Sequence, residues 1–225
     1  MIEPPAYSRC PLCQATAPWF YSDEKRPYYE CSDCLMVHVP SAWHLSAAAE
    51  RAEYDRHEND PQDEGYRRFL SRLATPLLLQ LPAARRGLDF GCGPGPALAA
   101  MLREAGHEVA LHDIYYQPNP TALSQKWDFI TATEVVEHLA QPLLVLDQLW
   151  ACLQPGGLLG LMTKRVRDQD AFKSWHYKSD PTHICYFSER SFAWLARRWN
   201  AELQLIGSDV VLLRKAQQER NDAGH

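Results

Sequence analysis

Gly87-Leu-Asp-Phe-Gly-Cys-Gly-Pro-Gly95 places an acid and three closely spaced glycines where a short strand gives way to a helix. Glycines at 91, 93 and 95 let the backbone turn tightly and approach a ligand with no Cβ in the way. The helix expected over 97–105 presents free N–H groups at its start. Such a loop wraps a nucleotide-like ligand. Pro96 stands where the dinucleotide fingerprint has its third glycine, which counts against NAD or FAD. Asp89 sits at the strand's end, where a carboxylate draws in a cationic group or orients backbone and water.

Outward from this loop, Glu108-Val-Ala-Leu-His-Asp113 reads as a second strand ending in an acid. It lies about 20 residues past the glycines, where doubly wound folds place a ribose-binding carboxylate. Two more segments follow in order, Trp127-Asp-Phe-Ile-Thr-Ala-Thr-Glu-Val-Val-Glu-His-Leu139 and Leu153-Gln-Pro-Gly-Gly-Leu-Leu-Gly-Leu-Met-Thr163. Together, residues 87–163 resemble the core of class I S-adenosylmethionine-dependent methyltransferases. The resemblance implies an α/β fold with a doubly wound, mostly parallel sheet and a glycine loop holding the donor's methionine and ribose. It makes Asp89, Gly91, Gly93, Gly95, Asp113 and Glu134 cofactor-binding candidates and puts Glu134 and His138 beside the transferred methyl, with Glu-His-Leu opening a helix. Gly156 and Gly157 are expected to end a helix at positive φ. Glu134 and Glu137 would also suit a helix N-terminus through its dipole alone.

One departure matters. Only thirteen residues, Ile114 to Lys126, separate the second strand from the next expected one, and Pro118 and Pro120 interrupt them. A parallel crossover needs a dozen or more residues for the connection alone, so the third strand should be reduced or absent. The family's adenine-side acid then has no assured counterpart, and Tyr115 with Tyr116 is expected to line the adenine pocket by stacking.

The amino-terminal part carries different chemistry. Cys10-Pro-Leu-Cys13 and, after seventeen residues, Cys31-Ser-Asp-Cys34 have the spacing of a zinc ribbon, in which two hairpins each offer two thiolates to one structural Zn2+. A disulfide pair and a redox-active thiol pair are the competing readings. No signal peptide is legible at the start and three further cysteines, Cys92, Cys152 and Cys185, are scattered through the expected core, which points to a reducing, cytoplasmic setting. His38 and His44 lie nearby but four thiolates already complete the shell.

The expected organisation is a zinc ribbon over 1–39, a connecting segment over 40–60, a catalytic domain over 61–215 and a frayed tail over 216–225. With 225 residues, 46% hydrophobic, and a net charge of −5, the chain reads as soluble, and no apolar run approaches a membrane span. A helix over 64–81 puts Tyr66, Phe69, Leu70, Leu73 and Leu77 on one face, read as core, and Pro76 should kink or split it. Ser188 caps a second helix, and two strands meet across Gly207-Ser208 as a hairpin.

Between the fifth strand and that cap, residues 165–187 form the sort of long connection that serves as a lid. Trp175, His176 and Tyr177 offer an aromatic wall, and His183, with His138 second, is the catalytic candidate for general base. A structural imidazole fastening the lid to Asp180 or a backbone carbonyl is the other reading of His183. Tyr54 and His57 form a further pair that could fold back over the cofactor or be plain linker. The implied reaction is SN2 transfer of a methyl to an O, N, S or C nucleophile. Net acidity favours a small-molecule acceptor, although Arg67-Arg68, Lys164-Arg165 and Arg197-Arg198 leave RNA compatible, with the ribbon as recognition arm. A non-catalytic cofactor-binding scaffold is the remaining alternative, and the oligomeric state is open.

Overall fold

The computed structural model describes residues 5–56 and 60–217. Four short strands open it: β1 (Tyr7–Arg9), β2 (Thr16–Ser22), β3 (Pro27–Glu30) and β4 (Val37–His38). Each pairs antiparallel with the next. Just past each cysteine pair the backbone reverses through a left-handed residue, Gln14 at φ 64° and Leu35 at φ 52°. The N–H of Gln14 closes on the carbonyl of Cys10 at 3.0 Å, and that of Leu35 on Cys31 at 3.1 Å.

Helix α1 (Ala47–Tyr54) starts where the Ser46 side chain accepts the Ala49 N–H. Asp63 caps α2 (Glu64–Leu78) in the same way. Expected to reach residue 81, α2 stops two residues after Pro76, whose ring removes one helical donor. Next come β5 (Arg86–Phe90), α3 (Ala97–Glu104), β6 (Glu108–His112), β7 (Trp127–Thr133), α4 (Pro142–Cys152) and β8 (Leu153–Met162). The chain ends with α5 (Gln169–Lys173), β9 (Cys185–Tyr186), α6 (Glu189–Trp199), β10 (Glu202–Ile206) and β11 (Val210–Arg214).

Six strands form the central sheet in the order β10-β11-β8-β7-β5-β6. Its last four, β8, β7, β5 and β6, are parallel, and β11 runs antiparallel to both neighbours. Buried on both faces, β7 and β8 read as near-continuous apolar runs, as parallel strands do. One face packs on Leu70, Leu73 and Leu77 of α2 and Leu98 and Leu102 of α3. The other packs on Leu146 and Leu149 of α4 and Phe192 and Leu195 of α6.

β6 is the sheet's edge, and among the described residues no strand lies beyond it. In place of the usual third strand, Asp113 and Gln117 bridge each other and a 3-10 turn follows over Pro120–Ser124. Three local expectations change. No α-helix opens at Glu134: that residue takes φ 52°, only a 3-10 turn covers Val136–His138, and α4 waits for Pro142 at its first turn. Gly156, at φ 77°, sits within β8 at the register shift against β7 instead of ending α4. Gly157 is absent from the positive-φ residues and is needed for space, since a Cβ there would lie 2.9 Å from the Gln154 carbonyl and 3.0 Å from that of Asp128. The final hairpin pairs Ile206 with Val210, so its turn holds three residues and not two.

The ribbon does not stand alone. β9 pairs with β4, Val37 opposite Tyr186 and His38 opposite Cys185, so a strand from the 165–187 connection completes the ribbon's five-stranded sheet. Phe172 seals the junction, its ring 5.5 Å from Phe20, 5.0 Å from Tyr28 and 5.2 Å from Tyr186. A module of this size cannot bury a sufficient core unaided, and here it borrows one. Among the described residues no helix is long and apolar enough to cross a membrane.

Candidate active site

A cavity of about 520 Å³ opens at the carboxyl ends of β5, β6 and β7, where the strand order reverses. Its floor is the glycine loop. Gly91 takes φ 69°, and a Cβ there would meet Val135 Cγ2 at 2.5 Å, so only glycine fits. Gly93 also has positive φ, at 63°, and its N–H donates to Asp113 Oδ2 at 3.1 Å. The other Asp113 oxygen accepts the N–H groups of Tyr115 at 2.8 Å and Tyr116 at 3.1 Å. One carboxylate thus ties the glycine loop to the turn after β6. Gly95 lines the cavity beside it. Asp89 is 3% exposed and accepts the Thr131 hydroxyl at 2.8 Å. Burial pushes its carboxyl up to about 6, with the Thr131 hydrogen bond opposing.

The wall above the loop is aromatic. Tyr115 and Tyr116 line it, and their hydroxyls donate to Glu50 at 3.1 Å and Asp55 at 2.7 Å, which lays α1 across the mouth. Tyr54 of α1 also lines the cavity, its ring 5.9 Å from Tyr115 and edge-on to His138 at 5.3 Å. His57 lies outside the described residues. Sequence reading missed Tyr66 and Phe69 as cavity residues: the stripe taken as core has its amino-terminal turn on the wall. The polar hydroxyl at the start of that stripe was the available signal. Trp175, His176 and Tyr177 are not cavity-lining; Trp175 packs 5.0 Å from Tyr177 and 5.9 Å from Tyr186, and His176 meets Lys164 Nζ at 2.9 Å. From the expected lid, Asp180 and His183 reach the cavity.

At that end His138 and His183 lie 4.7 Å apart, ring to ring. His138 Nδ1 is 3.2 Å from the Thr182 carbonyl and His183 Nδ1 is 2.7 Å from that of Tyr177. A carbonyl only accepts, so each Nδ1 carries a hydrogen, and a ring in its neutral form has its lone pair on Nε2. His183 Nε2 is 3.7 Å from Asp180 Oδ2. Burial, then the neighbouring His183, hold His138 down at about 4. Beneath them the Tyr177 hydroxyl donates to Glu137 Oε1 and, at 3.2 Å, meets Glu134 Oε2. Burial pushes Glu134 to about 7, and burial with the charge of Glu134 pushes Glu137 to about 8.

In the ribbon, Cys10 Sγ lies 3.6 Å from Cys34 Sγ, and Cys13 Sγ 3.2 Å from Cys31 Sγ, all four unpaired as disulfides. The four sulfurs lie within 4.8 Å of one another. A tetrahedron with bonds of about 2.3 Å needs sulfurs about 3.8 Å apart, so the cluster is compatible with zinc. Cys31 Sγ also accepts the N–H groups of Asp33 and Cys34, both at 3.4 Å, which suits a thiolate. His38 bonds Ser8 and His44 bonds the Val39 carbonyl; neither joins the cluster.

A family model described as a methyltransferase domain matches residues 54–206. No curated protein sequence matches the chain. Among solved structures, an S-adenosylmethionine-dependent methyltransferase from Archaeoglobus fulgidus aligns with TM-score 0.54 and 14% identity over 66% of this chain and 94% of its own. Magnesium protoporphyrin IX methyltransferase from Synechocystis, with bound S-adenosylhomocysteine, aligns with TM-score 0.54 and 13% identity over 78% of this chain and 97% of its own. The 1,6-didemethyltoxoflavin N1-methyltransferase of Burkholderia thailandensis, bound to 1,6-didemethyltoxoflavin and S-adenosylhomocysteine, gives 0.50 and 18% over 88% and 99%. At these identities the likeness is one of fold.

Proposed function

The chain belongs to the methyltransferase-domain family, and from that premise we propose that it transfers a methyl group from S-adenosylmethionine to a nucleophilic atom of a small-molecule acceptor. The observation that carries the reading is the Asp113 carboxylate bonded to the Gly93 N–H at the floor of a cavity of about 520 Å³ with an aromatic wall. That volume suits a nucleoside-sized ligand with a small partner.

When bound, the donor supplies a methyl already activated by its sulfonium, so alignment and exclusion of water do much of the catalysis. Gly91, Gly93 and Gly95 let the loop backbone approach the donor's methionine and ribose. Asp113 keeps lone pairs for ribose hydroxyls beyond the three N–H groups it accepts. Asp89 offers negative charge from beneath the loop, Tyr115 a face for the adenine, and α1 shields the mouth. Glu134 borders the donor's methyl. His183, with His138 second, stands at the acceptor end, where each presents Nε2 to activate the nucleophile.

A small acceptor is favoured over RNA because one member of each basic pair is engaged: Arg67 bonds Glu104, Arg198 bonds Asp147 at 2.8 Å, and buried Arg165 lies 3.8 Å from Glu189. That halves the charge left for phosphates. The four ribbon cysteines would hold one structural zinc, and with three further unpaired thiols they suit a reducing, cytoplasmic setting.

Calorimetry with S-adenosylhomocysteine tests the donor site; absence of uptake by folded protein defeats the reading. Labelled donor incubated with fractionated extract should put label into metabolites. Label in RNA reverses the acceptor class, and intact uptake with no transfer to any fraction indicates a scaffold.

A further inference from the structure

We propose that Glu137, His138 and His183 bind a divalent first-row metal cation at the acceptor end of the cavity, a second metal site besides the ribbon's. The role given to the cation rests on the methyl-transfer reading; its binding does not.

One ligand atom from each of the three residues lies within 4.8 Å of the others. A cation with bonds of about 2.1 Å holds its ligands about 3–4 Å apart, so a slight contraction closes the site. Both rings are already oriented for it. Metal-bound histidines nearly always donate their other ring N–H to a carbonyl, a carboxylate or water, and here the Thr182 and Tyr177 carbonyls receive the two Nδ1–H groups. Each Nε2 is thereby the ligand atom.

Glu137 supplies the independent observation. Its side chain is 0% exposed, Oε1 accepts the Tyr177 hydroxyl, and Oε2 has no hydrogen-bond partner. A buried carboxylate oxygen without a partner is costly, and native structures rarely leave one without cause. A cation between this oxygen and the two imidazoles answers that cost. Glu134 Oε1 is equally buried and without a partner, on the cavity wall beside the same Tyr177 hydroxyl, and provides a fourth donor if its side chain swings inward.

The donor set also says which ion. Two imidazoles and a carboxylate accept Zn2+, Fe2+ or Mn2+ and leave coordination positions open, whereas four thiolates select the softer zinc. Mn2+ therefore distinguishes this site from the ribbon.

The open positions face the cavity, because His138 and His183 line it. They would draw an oxygen of the acceptor, best of all one of two adjacent oxygens that chelate together. The acceptor class is then a hydroxyl compound with a neighbouring oxygen. Polarised by the cation, the hydroxyl releases its proton to water. Its oxygen lone pair forms the new O–CH3 bond while the S–CH3 electron pair returns to sulfur, leaving neutral S-adenosylhomocysteine. In this arrangement the imidazoles act as ligands, and His183 need not take the acceptor's proton itself.

The test uses the full chain with its ribbon zinc retained and checked at one per chain by atomic emission. Mn2+ is titrated in the presence of S-adenosylhomocysteine while the electron paramagnetic resonance signal of free aqueous Mn2+ is followed. One Mn2+ per chain is expected, weakened about a hundredfold or more in Glu137→Gln with ribbon zinc unchanged. His138→Gln is the second variant should the first fail to fold. No Mn2+ uptake, or equal uptake in wild type and both variants, overturns the proposal. Calorimetry on the same sample separates it from the broader reading: S-adenosylhomocysteine bound without Mn2+ sinks only the cation, and Mn2+ bound without S-adenosylhomocysteine sinks only methyl transfer.

Discussion

The two ends of the cavity are built in different ways. The floor of the end proposed for the donor comes from one stretch, residues 89–113, whose parts hold each other: Gly93 on Asp113, Gly91 on the His112 carbonyl at 2.7 Å. The acceptor end is assembled from far apart. Arg26, in the ribbon and only 7% exposed, donates to the carbonyls of Pro181 at 2.9 Å, Lys178 at 3.0 Å and Asp180 at 2.9 Å, and to the Tyr186 hydroxyl at 3.0 Å. It clamps the segment that carries His183. One end depends on backbone conformation and the other on tertiary support, so different lesions should separate them.

The largest effect belongs to Gly91→Val. Left-handed φ and the clash with Val135 together should weaken S-adenosylhomocysteine binding on the order of a thousandfold, while far-UV circular dichroism stays that of wild type. Binding within threefold of wild type would mean that the loop is not the donor's floor. Next comes loss of the zinc proposed for the four cysteines. If the four thiolates hold zinc as proposed, a site of that kind contributes on the order of 10 kcal/mol to folding, so Cys31→Ser should unfold the ribbon and release the Arg26 clamp. Methyl transfer should drop about a hundredfold through misplacement of His183, with S-adenosylhomocysteine affinity nearly unchanged. Equal loss at both ends would erase the distinction drawn here.

What the sequence made legible follows the same division. Glycines, strand-end acids and their spacing are local, so the turn of the glycine loop, the truncated sheet edge beyond β6 and the four-cysteine cluster could be read from adjacent residues. Arg26 could not, because nothing around it signals partners more than 150 residues away. Trp175 and Tyr177 looked like cavity wall by composition, yet apolar rings at a junction of two sheets are drawn into the shared core first. Glu134 looked like a helix start, but its left-handed φ turns the chain before a helix can begin. Tyr66 and Phe69 follow the periodicity that marks core, which cannot tell a packed face from one that lines a cavity.

Asp89→Asn probes the donor end with a smaller and two-signed effect. Burial raises the folded carboxyl from 3.8 to about 6, with Asp113 adding and Arg103 opposing. The folded protein therefore binds this proton more tightly than the unfolded chain. Stability declines as pH rises from about 4 to about 6, and the full cost is present above that. The neutral asparagine should raise donor-free stability at pH 7 by up to about 3 kcal/mol. It should also weaken S-adenosylmethionine roughly thirtyfold and flatten the loss of affinity expected below pH 6 in wild type. Thermal melts and calorimetry across pH 5 to 8 read both signs. A destabilised variant would show that Asp89 is held by unrecognised partners and is not poised for a cationic ligand.

The smallest expected effect tests whether α1 belongs to the donor end or merely crosses it. Tyr115 offers a ring to the cavity and a hydroxyl to Glu50, while the Arg51 guanidinium lies 5.9 Å from the ring's centre. Stacking on the adenine contributes about 1 kcal/mol, so Tyr115→Ala should weaken S-adenosylhomocysteine about fivefold. Tyr115→Phe keeps the ring and loses only the tie to α1. If it binds like wild type, the ring is the contact and α1 is a cover. If it binds as weakly as alanine, the helix must be anchored for the donor to stay, and the donor end then depends on a long-range contact just as the acceptor end does.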